Sequence, residues 1–372
     1  MRVLYFSRDY TPHDHRFLSA LAKSGLEVYY LRLEQRGHSL EERPLPAQVH
    51  PVAWAGGRGP ARFTHGLRLL FDLKRVIRQV QPDLIQAGPL QTAAFLVALS
   101  GFRPLVSMSW GYDLLQDAQR NFLWRWATHY TLRRSAVMVG DCDTIRQRAM
   151  ALGMPDERIV TFPWGIDLEQ FTPPVAKDPH SRKFTLLSTR GWEPIYGVEV
   201  LAKAFVLAAR QRADLRLVML GNGSQADLLR NLFHQGAVLD RVEFPGQVSQ
   251  SELPGCYQSA DLYVSASHSD GTSISLLEAL ACGLPALVSD IPGNREWVQP
   301  GVQGWWFPDG DVEALAAAIL RAAEDRQRLA KMSGAARCLA EQRADWQKNF
   351  PKLLEAYRSI LLGNIPLKYL SR

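Results

Sequence analysis

The 372-residue chain is poor in cysteine and has no long apolar stretch. Its cysteines are Cys142, Cys256, Cys282 and Cys338. They show no paired spacing, which argues against a disulfide framework and a zinc site and predicts a reducing compartment. The N-terminal run "MRVLYFSRDY" is too short for a signal peptide, and "TAAFLVALSGF" is too short to cross a bilayer. We therefore expect a cytoplasmic protein without a transmembrane helix.

Two common enzyme signatures are also missing. The stretch after the first predicted strand, "SRDYTPHDHRF", contains no glycine, so the GxGxxG dinucleotide fingerprint is absent where it should lie. A later "GNGS" is by itself only a turn and a helix start. No GxSxG nucleophile motif occurs anywhere in the chain. A nicotinamide dehydrogenase and a serine hydrolase are both disfavoured.

What the chain does contain is a regular alternation of short apolar runs and helical patterns. "RVLYF", "HRFLSALAKSG" and "EVYYLRL" illustrate it near the N-terminus, and the pattern restarts with "KFTLLSTRG" after a polar, proline-rich stretch. This alternation is typical of βαβ units and predicts an α/β protein with two parallel-sheet domains. We predict a first domain over 1–165, a linker over 166–182, a second domain over 183–342 and a C-terminal helical segment over 343–372.

Positive charge is concentrated in the first predicted domain. Residues 1–165 hold 21 Lys and Arg against 14 Asp and Glu, whereas the remainder holds 22 against 23. Such a bias favours an anionic lipid, a polyanionic acceptor or a nucleic acid as partner, or it has no function. No aromatic or basic nucleic-acid motif accompanies it, so nucleic acid is the least favoured partner. The stretch "ARFTHGLRLLFDLKRVIRQV" predicts either a membrane-surface helix or a packed helix with a solvated basic face.

The stretch "SDGTSISLLEALACGLP" places acids on both sides of a predicted helix start. Asp270 and Gly271 form a turn, and Thr272 and Ser273 are good caps for a helix that contains Glu278. Amide groups at a helix start suit an anion, while ionised carboxylates accept hydrogen bonds and so select hydroxyl groups. A nucleotide sugar satisfies both requirements. The simpler interpretation is that the first acid is a turn residue and the second a solvent-facing helix residue.

The second half of the chain resembles the retaining glycosyltransferases of glycosyltransferase family 4. The resemblance rests on "ADLYVSASHSDGTSISLLEALACGLPALVSDIPGNREWV" and on "GWWFPDGDVEALAAAI", and it covers nearly all of 184–325. It implies a GT-B fold, with two Rossmann-like domains whose parallel sheets face a central cleft and with C-terminal helices that cross back to the first domain. It also implies that the second domain holds the donor and the first the acceptor, with no obligatory metal.

The resemblance assigns roles to the residues that match the family's motifs. It implies that Glu278 binds ribose, that Asp270, shortened from the family's glutamate, binds the transferred sugar, and that Arg190 stabilises the leaving diphosphate. The remaining implied donor-binding residues are Gly271, Thr272, Ser273, Ile274, Gly221 and Gly223. The family's lysine is replaced by Tyr196, which could instead donate a hydrogen bond.

Acceptor residues are expected in the first half. "VSMSWGYDLL" is similar to a family motif of histidine, glycine, any residue and aspartate, with Trp110 in place of the histidine. Asp113 is therefore the candidate for orienting or deprotonating an acceptor hydroxyl, or else it caps a helix. Trp110 either stacks on a sugar or belongs to the core. Asp14 and Arg16, in the loop after the first strand, are further acceptor-binding candidates.

These observations lead to one expected function and two alternatives. We expect a glycosyltransferase that moves a sugar from a nucleoside diphosphate sugar to a glycan or lipid-linked acceptor hydroxyl, with retention and without cofactor or metal. Its expected place is the cytoplasm, with a peripheral position on the inner face of an anionic membrane left open. The alternatives are a nucleotide-sugar 2-epimerase-like enzyme, which needs no acceptor, and a catalytically silent nucleotide-sugar-binding protein.

Overall fold

The computed structural model describes residues 1–35, 43–175 and 183–363, which fold into two compact units. Unit 1 comprises Met1–Phe162 and Phe350–Arg372, and unit 2 comprises Pro163–Asn349. Each unit is an α/β structure around a parallel sheet, as the alternation in the sequence predicts.

Unit 1 is built on a sheet that has seven strands within the described residues, in the order β3-β2-β1-β4-β5-β6-β7, all parallel. The strands are β1 (Arg2–Ser7), β2 (Glu27–Arg32), β3 (Val49–Pro51), β4 (Leu84–Gly88), β5 (Leu105–Met108), β6 (Val137–Gly140) and β7 (Ile159–Thr161). The helices are α1 (Pro12–Lys23), α2 (Gly66–Val80), α3 (Ala93–Ser100), α4 (Ala118–Arg120), α5 (Phe122–Arg134) and α6 (Asp143–Ala151). Short 3₁₀ turns occupy Phe63–His65 and Asp156–Arg158, and a π-helical turn occupies Asp113–Asp117.

The central strands of unit 1 are buried along almost their whole length and are mostly apolar, as expected of a parallel sheet that is covered on both faces. Every residue of β4, for example, is buried. A core cluster that includes Leu4, Phe6, Ile85 and Leu105 packs against α2 and α3. Strands buried in this way leave only their carboxyl ends free to carry polar site residues.

Unit 2 repeats the plan with a sheet of six described strands, in the order β10-β9-β8-β11-β12-β13, again all parallel. The strands are β8 (Phe184–Ser188), β9 (Leu215–Leu220), β10 (Val242–Gly246), β11 (Leu262–Ser265), β12 (Ala286–Ser289) and β13 (Gly304–Phe307). The helices are α7 (Val198–Gln211), α8 (Ala226–Gln235), α9 (Leu253–Ser259), α10 (Ile274–Ala281), α11 (Pro292–Arg295), α12 (Val312–Glu324), α13 (Arg326–Arg343) and α14 (Trp346–Asn349). The 3₁₀ turns are Pro194–Tyr196 and Leu239–Arg241.

The strand order of unit 2 brings three loops together. Strands β9, β8 and β11 are neighbours, so the segments that follow them at 221–225, 189–197 and 266–273 meet at the carboxyl edge of the sheet. Ligands in open α/β sheets bind at this edge. The edge contains all the predicted donor-site residues.

The C-terminal helix α15 (Pro351–Leu361) belongs to unit 1, where it packs against β6 and β7. Its Tyr357 hydroxyl donates to Gln86 Oε1 of β4. The predicted linker is partly core, because Ile166 and Phe171 are buried in unit 2, and its residues 176–182 lie outside the described residues. The end of the predicted C-terminal segment, 364–372, also lies outside them.

A helix that crosses a bilayer needs about 20 consecutive, mostly apolar residues. Within the described ranges, no helix combines such a length with such an apolar character.

Candidate functional site

The loop between β11 and α10, residues 266–273, is held by close backbone contacts on two sides. A Cβ at Gly197, which has φ +58°, would overlap the carbonyl of Ala266. A Cβ at Gly293 would overlap Gly271 O and lie 2.6 Å from Asp270 O. Only glycine allows backbones to approach so closely. The position of Asp270 is therefore fixed by the start of α7 and by α11.

The predicted catalytic residues Arg190 and Asp270 form an ion pair in this loop. Arg190 Nη2 lies 2.7 Å from Asp270 Oδ2, and both side chains are largely buried. Arg190 Nη1 also donates to Ser273 Oγ at 2.7 Å and to Ser275 Oγ at 3.2 Å. The structure thus joins the end of β8 to the start of α10 through one guanidinium.

Two buried polar atoms of this pair keep unused hydrogen-bonding capacity. Apart from the ion pair itself, Asp270 Oδ2 has no hydrogen-bond partner among the described residues, and Arg190 Nε has none there either. Buried polar atoms are nearly always satisfied in folded proteins. Unused capacity at the carboxyl edge of a parallel sheet is typical of a site that a polar ligand completes.

The charges of the pair support each other against burial. Burial opposes the charged form of Arg190, but the Asp270 carboxylate and nearby phenols outweigh it and raise the pKa of the guanidinium. Burial raises the pKa of Asp270, although Arg190 works in the opposite direction. The guanidinium therefore remains a fixed positive charge inside the unit.

Tyr196, which replaces the lysine of the family motif, stacks on this guanidinium. Arg190 Cζ lies 4.1 Å from the centroid of the Tyr196 ring, within cation–π range. The ring covers one face of the arginine and restricts where its charge can point. The structure thus gives Tyr196 an aromatic contact with Arg190, whereas the sequence suggested a hydroxyl donor.

Glu278 is held by a tyrosine that the sequence did not reveal. Its side chain is buried inside α10, and Tyr257 donates to Glu278 Oε2 at 2.8 Å. The Tyr257 hydroxyl also lies 3.0 Å from Thr189 Oγ1, next to Arg190. The simpler interpretation of Glu278 as a solvent-facing helix acid is therefore wrong. Tyr257 is 21 residues away in the sequence, so no local pattern could indicate the contact.

Ser273 begins helix α10 but does not cap it with its side chain. The residue is the N-cap by position, yet its hydroxyl makes no cap hydrogen bond and instead accepts from Arg190. The neighbouring Thr272 is buried. The predicted cap residues thus tie the arginine to the helix start, where the helix dipole favours an anion.

Gly221 and Gly223 lie in the loop after β9, the third loop at the carboxyl edge of the unit 2 sheet. Gly221, with φ +102°, packs close to the carbonyl of Arg190, and a Cβ at Gly223 would lie 2.5 Å from Trp192 O. Trp192 N donates to Asn222 O, and Gln225 N donates to Trp192 O. These bonds bind the loop after β9 to the loop after β8.

Glu193 was not identified from the sequence. It accepts from Ser224 N at 2.9 Å and from Ser224 Oγ at 2.5 Å, which closes the link between the two loops. An acid directly before a Pro-Ile-Tyr turn has no distinctive sequence signal.

The predicted acceptor residues of unit 1 have different surroundings. Asp113 is fully buried, and its carboxylate accepts from Ser109 Oγ and from the backbone N–H groups of Leu90, Trp110 and Leu114. Burial raises its pKa to about 6. A carboxylate that accepts four hydrogen bonds orders the loop after β5, which favours the structural alternative for Asp113. Its role toward an acceptor hydroxyl stays a prediction.

Asp14 is likewise a structural acid. It is buried at the third position of α1, where it accepts from Thr11 N and Oγ1 while Thr11 Oγ1 accepts from Asp14 N, a capping box. Tyr5 donates to its other oxygen at 3.0 Å. The structure therefore gives Asp14 a helix-capping role, and its expected acceptor contact stays a prediction.

Trp110 and Arg16 remain partly exposed. The Trp110 ring lies 5.7 Å from the His13 ring and 6.3 Å from the Phe17 ring, measured between centroids. It therefore belongs to a small aromatic cluster on α1 and keeps some accessible surface. Both residues stay candidates for acceptor contact.

Comparison with known proteins agrees with the fold of two parallel-sheet α/β units. Residues 13–170 match the family model "Glycosyltransferase Family 4", and residues 175–339 match "Glycosyl transferases group 1". The chain is 28% identical to the putative colanic acid biosynthesis glycosyltransferase WcaL of Salmonella typhimurium over 52% of this chain and 50% of that protein. It thus spans about half the length of the curated relatives it matches at this level.

Two further proteins match over most of the chain. The glycogen synthase of Mycobacterium tuberculosis is 26% identical over 93% of this chain and 92% of that protein. The crystal structure of Anabaena Alr3699/HepE in complex with UDP-glucose has a TM-score of 0.79 at 18% identity, covering 96% of this chain and all of that one. The chain therefore has the GT-B fold and belongs to the glycosyltransferases that combine family 4 and group 1 domains.

Proposed function

We propose that this chain transfers a sugar from a nucleoside diphosphate sugar to an acceptor hydroxyl with retention of anomeric configuration. The observation that carries the proposal is the buried Arg190–Asp270 pair with its unsatisfied polar atoms at the carboxyl edge of unit 2. The cation and the acid are paired with each other, but Arg190 Nε and Asp270 Oδ2 have no hydrogen-bond partner among the described residues. Such a pair suits a ligand with an anionic and a hydroxyl-bearing part. A nucleoside diphosphate sugar has both.

The diphosphate would lie at the start of α10. Arg190 offers its unused Nε, and the first turn of α10 adds backbone N–H groups and the positive end of the helix dipole. Ser273 and Ser275 fix the guanidinium in place, so little reorganisation is needed when charge develops on the leaving group. Arg190 is thus proposed as the main stabiliser of the leaving diphosphate.

Asp270 and Glu278 would accept hydrogen bonds from hydroxyl groups of the donor. Asp270 is proposed to accept from the transferred sugar through Oδ2, which is ion-paired with Arg190 but has no hydrogen-bond partner among the described residues. Glu278 is proposed to accept from the ribose, with Tyr257 fixing its second oxygen. Gly271, Thr272, Ser273 and Ile274 would contact sugar and phosphate through their backbone, and Gly221 and Gly223 would border the nucleotide.

In the proposed reaction the bond between the anomeric carbon and the diphosphate oxygen breaks. The acceptor oxygen forms its bond to the same face of that carbon, and the acceptor proton passes to the departing diphosphate. The products are the glycosylated acceptor and the nucleoside diphosphate. Because the described protein groups at this edge already stabilise the leaving group, we propose that no metal ion takes part, and activity should persist in EDTA.

The acceptor is proposed to be a glycan or glycolipid. WcaL, a relative, is named for colanic acid biosynthesis, which supports a surface polysaccharide acceptor. Helix α2 supports a position near a membrane, because Leu67 and Phe71 are 73% and 69% exposed beside Arg68 and Lys74. Cosedimentation with phosphatidylglycerol vesicles that is lost in Leu67→Ser/Phe71→Ser would support peripheral binding in the cytoplasm.

The function is tested by donor turnover in two arms. Protein is incubated with UDP-glucose, GDP-mannose and other donors, with and without an acceptor extract, and free nucleoside diphosphate and product anomer are measured by chromatography and NMR. Asp270→Ala and Glu278→Ala should each abolish transfer, while Asp214→Ala, at a half-buried ion pair before β9, should not. Full activity in either site variant overturns the assignment.

The same assay separates the alternatives. An epimerase would convert donor without any acceptor, which the acceptor-free arm detects. A silent binding protein would bind a donor without turnover in every arm. Either result contradicts transfer.

A further inference from the structure

A cavity lies in unit 1, and none of the residues assigned above is among its lining residues. It has a volume of about 550 Å³ and lies where β1, β2 and β3 end. Its lining includes Tyr30 and Arg32 of β2 and the segment after β3. Cavities of this size at the carboxyl edge of a parallel sheet are typical ligand sites.

Three arginines line this cavity: Arg32, Arg43 and Arg58. Among the described lining residues none is acidic. Asp9 lies outside the lining, with its Oδ1 4.0 Å from Arg32 Nη1. Arg58 is exposed and makes no ion pair or hydrogen bond with the described part of the chain. The cavity therefore concentrates positive charge, which attracts an anion.

The lining of the cavity also contains three aromatic residues. Tyr10 and Tyr30 lie with their ring centroids 5.6 Å apart, and their hydroxyls are engaged by His15 Nδ1 and Ser7 Oγ. Trp54 is buried and donates to Arg32 O at 2.8 Å. Flat rings whose polar atoms are already satisfied offer apolar surface, which suits the carbon face of a sugar ring.

The loop after β3 is shaped to complete this cavity. A Cβ at Gly56 would overlap the Trp54 ring, and one at Gly57, where φ is +82°, would lie 2.8 Å from Arg32 O. Arg32 Nη2 donates to Gly57 O at 3.2 Å and to Gln35 Oε1 at 2.9 Å. The two glycines thus bring the loop that carries Arg58 onto the end of β2.

We propose that this cavity binds a phosphate-bearing sugar, with the phosphate on the arginines and the ring against Tyr10, Tyr30 and Trp54. All three cations are arginine, whose planar fork of donors matches phosphate oxygens better than a lysine ammonium does. We further propose that this ligand is the glycosyl acceptor, and that identification alone rests on the proposed function. The phosphate comes from a soluble sugar phosphate or from a phospholipid-linked sugar, and the test separates these sources.

The test measures binding of glucose 6-phosphate by calorimetry at low salt, with saturating UDP present to occupy a diphosphate site in unit 2. Glucose and inorganic phosphate are the comparison probes, and phosphatidylglycerol vesicles are the lipid arm. Arg58→Gln should weaken glucose 6-phosphate binding about tenfold, and Arg58→Lys should restore part of it. Arg133→Gln, an exposed arginine of the same unit, should leave it unchanged.

Each outcome decides the proposal. Binding to the vesicles alone, weakened by Arg58→Gln, supports phosphate recognition with lipid as its source. Equal binding by all variants, equal binding of glucose, or no binding in any arm overturns it. If Arg58→Gln loses phosphate binding but no donor is turned over, this site stands and the proposed function fails. If sugar transfer proceeds but Arg58→Gln does not change phosphate binding, the proposed function stands and the proposal for this cavity fails.

Discussion

Both units carry aspartates near the carboxyl ends of their strands, but the two sheets use them differently. In unit 2, Asp270 faces Arg190 at 2.7 Å and keeps an oxygen without a hydrogen-bond partner among the described residues. In unit 1, Asp113 accepts from four donors and is fully buried. An acid at a strand end is thus a candidate site residue where its bonding capacity is open, and a structural residue where that capacity is full.

The largest expected effect is on Arg190, the cation of the open edge. Arg190→Ala should lower kcat by about 10²-fold to 10³-fold, because preorganised stabilisation of a leaving group is worth about 3 kcal/mol or more. Initial rates at saturating donor measure it. Arg212→Ala removes a half-buried ion pair with Asp214 and is the matched control, which should keep wild-type rates. A rate for Arg190→Ala within threefold of wild type would contradict the role.

Asp113, the saturated acid, should show the opposite pattern. Asp113→Ala leaves a hydroxyl and three backbone N–H groups without their acceptor, so the free energy of unfolding should fall by about 3 kcal/mol. Urea denaturation measures this loss. Nucleoside diphosphate binding by the folded fraction should stay unchanged. If Asp113→Asn were as stable as wild type but inactive, the reaction would require the carboxylate of Asp113.

The pH dependence of stability sharpens the contrast through Asp14. Burial raises its pKa to about 6 in the folded chain from an ordinary 3.8. The folded state therefore binds this proton more tightly, and the stability it contributes is complete below pH about 4 and lost as the pH rises to about 6. The unfolding free energy of wild type relative to Asp14→Asn should fall by up to about 3 kcal/mol across this range.

Denaturation of both proteins at pH 4, 5, 6 and 7 measures that difference. A difference that rises with pH would show that Asp14 is stabilised in its ionised form, contrary to the buried geometry.

The smallest expected effect is that of Tyr196. Tyr196→Leu removes the ring under the Arg190 guanidinium and should lower kcat about tenfold, since a buried cation–π contact is worth about 1 to 2 kcal/mol. Tyr196→Phe keeps the ring and should keep the rate. If Tyr196→Phe were as impaired as Tyr196→Leu, the hydroxyl would matter instead of the ring.

Much of the fold could be predicted because the buried strands and their helices are written in local apolar patterns. The strand "RVLYF" corresponds to β1, and "ISLLEALA" is α10. The sequence did not indicate that Phe171 of the predicted linker is buried, because it stands in a polar and proline-rich stretch and packs against residues distant in the sequence. Composition indicates where a chain is polar on average, not which single aromatic side chain reaches a core.

The candidate site shows the same contrast between residues that local motifs indicate and contacts that depend on the tertiary structure. Asp270, Glu278 and Arg190 were found through motifs, and the structure brings Asp270 and Arg190 into contact. Tyr257 and the stacking of Tyr196 were not found, since they depend on which strands are neighbours in the sheet. The structural hydrogen bonds of Asp14 and Asp113 were not predicted, because a sequence does not reveal how many donors surround a carboxylate.

The central claim is that the open edge of unit 2 binds a nucleoside diphosphate, and calorimetry tests it most directly. UDP, GDP and ADP are titrated into wild type, Arg190→Ala and Arg212→Ala. The account predicts that at least one of them binds, that Arg190→Ala weakens this binding at least about tenfold, and that Arg212→Ala leaves it unchanged. No binding by any of the three, or equal binding by wild type and Arg190→Ala, would contradict it.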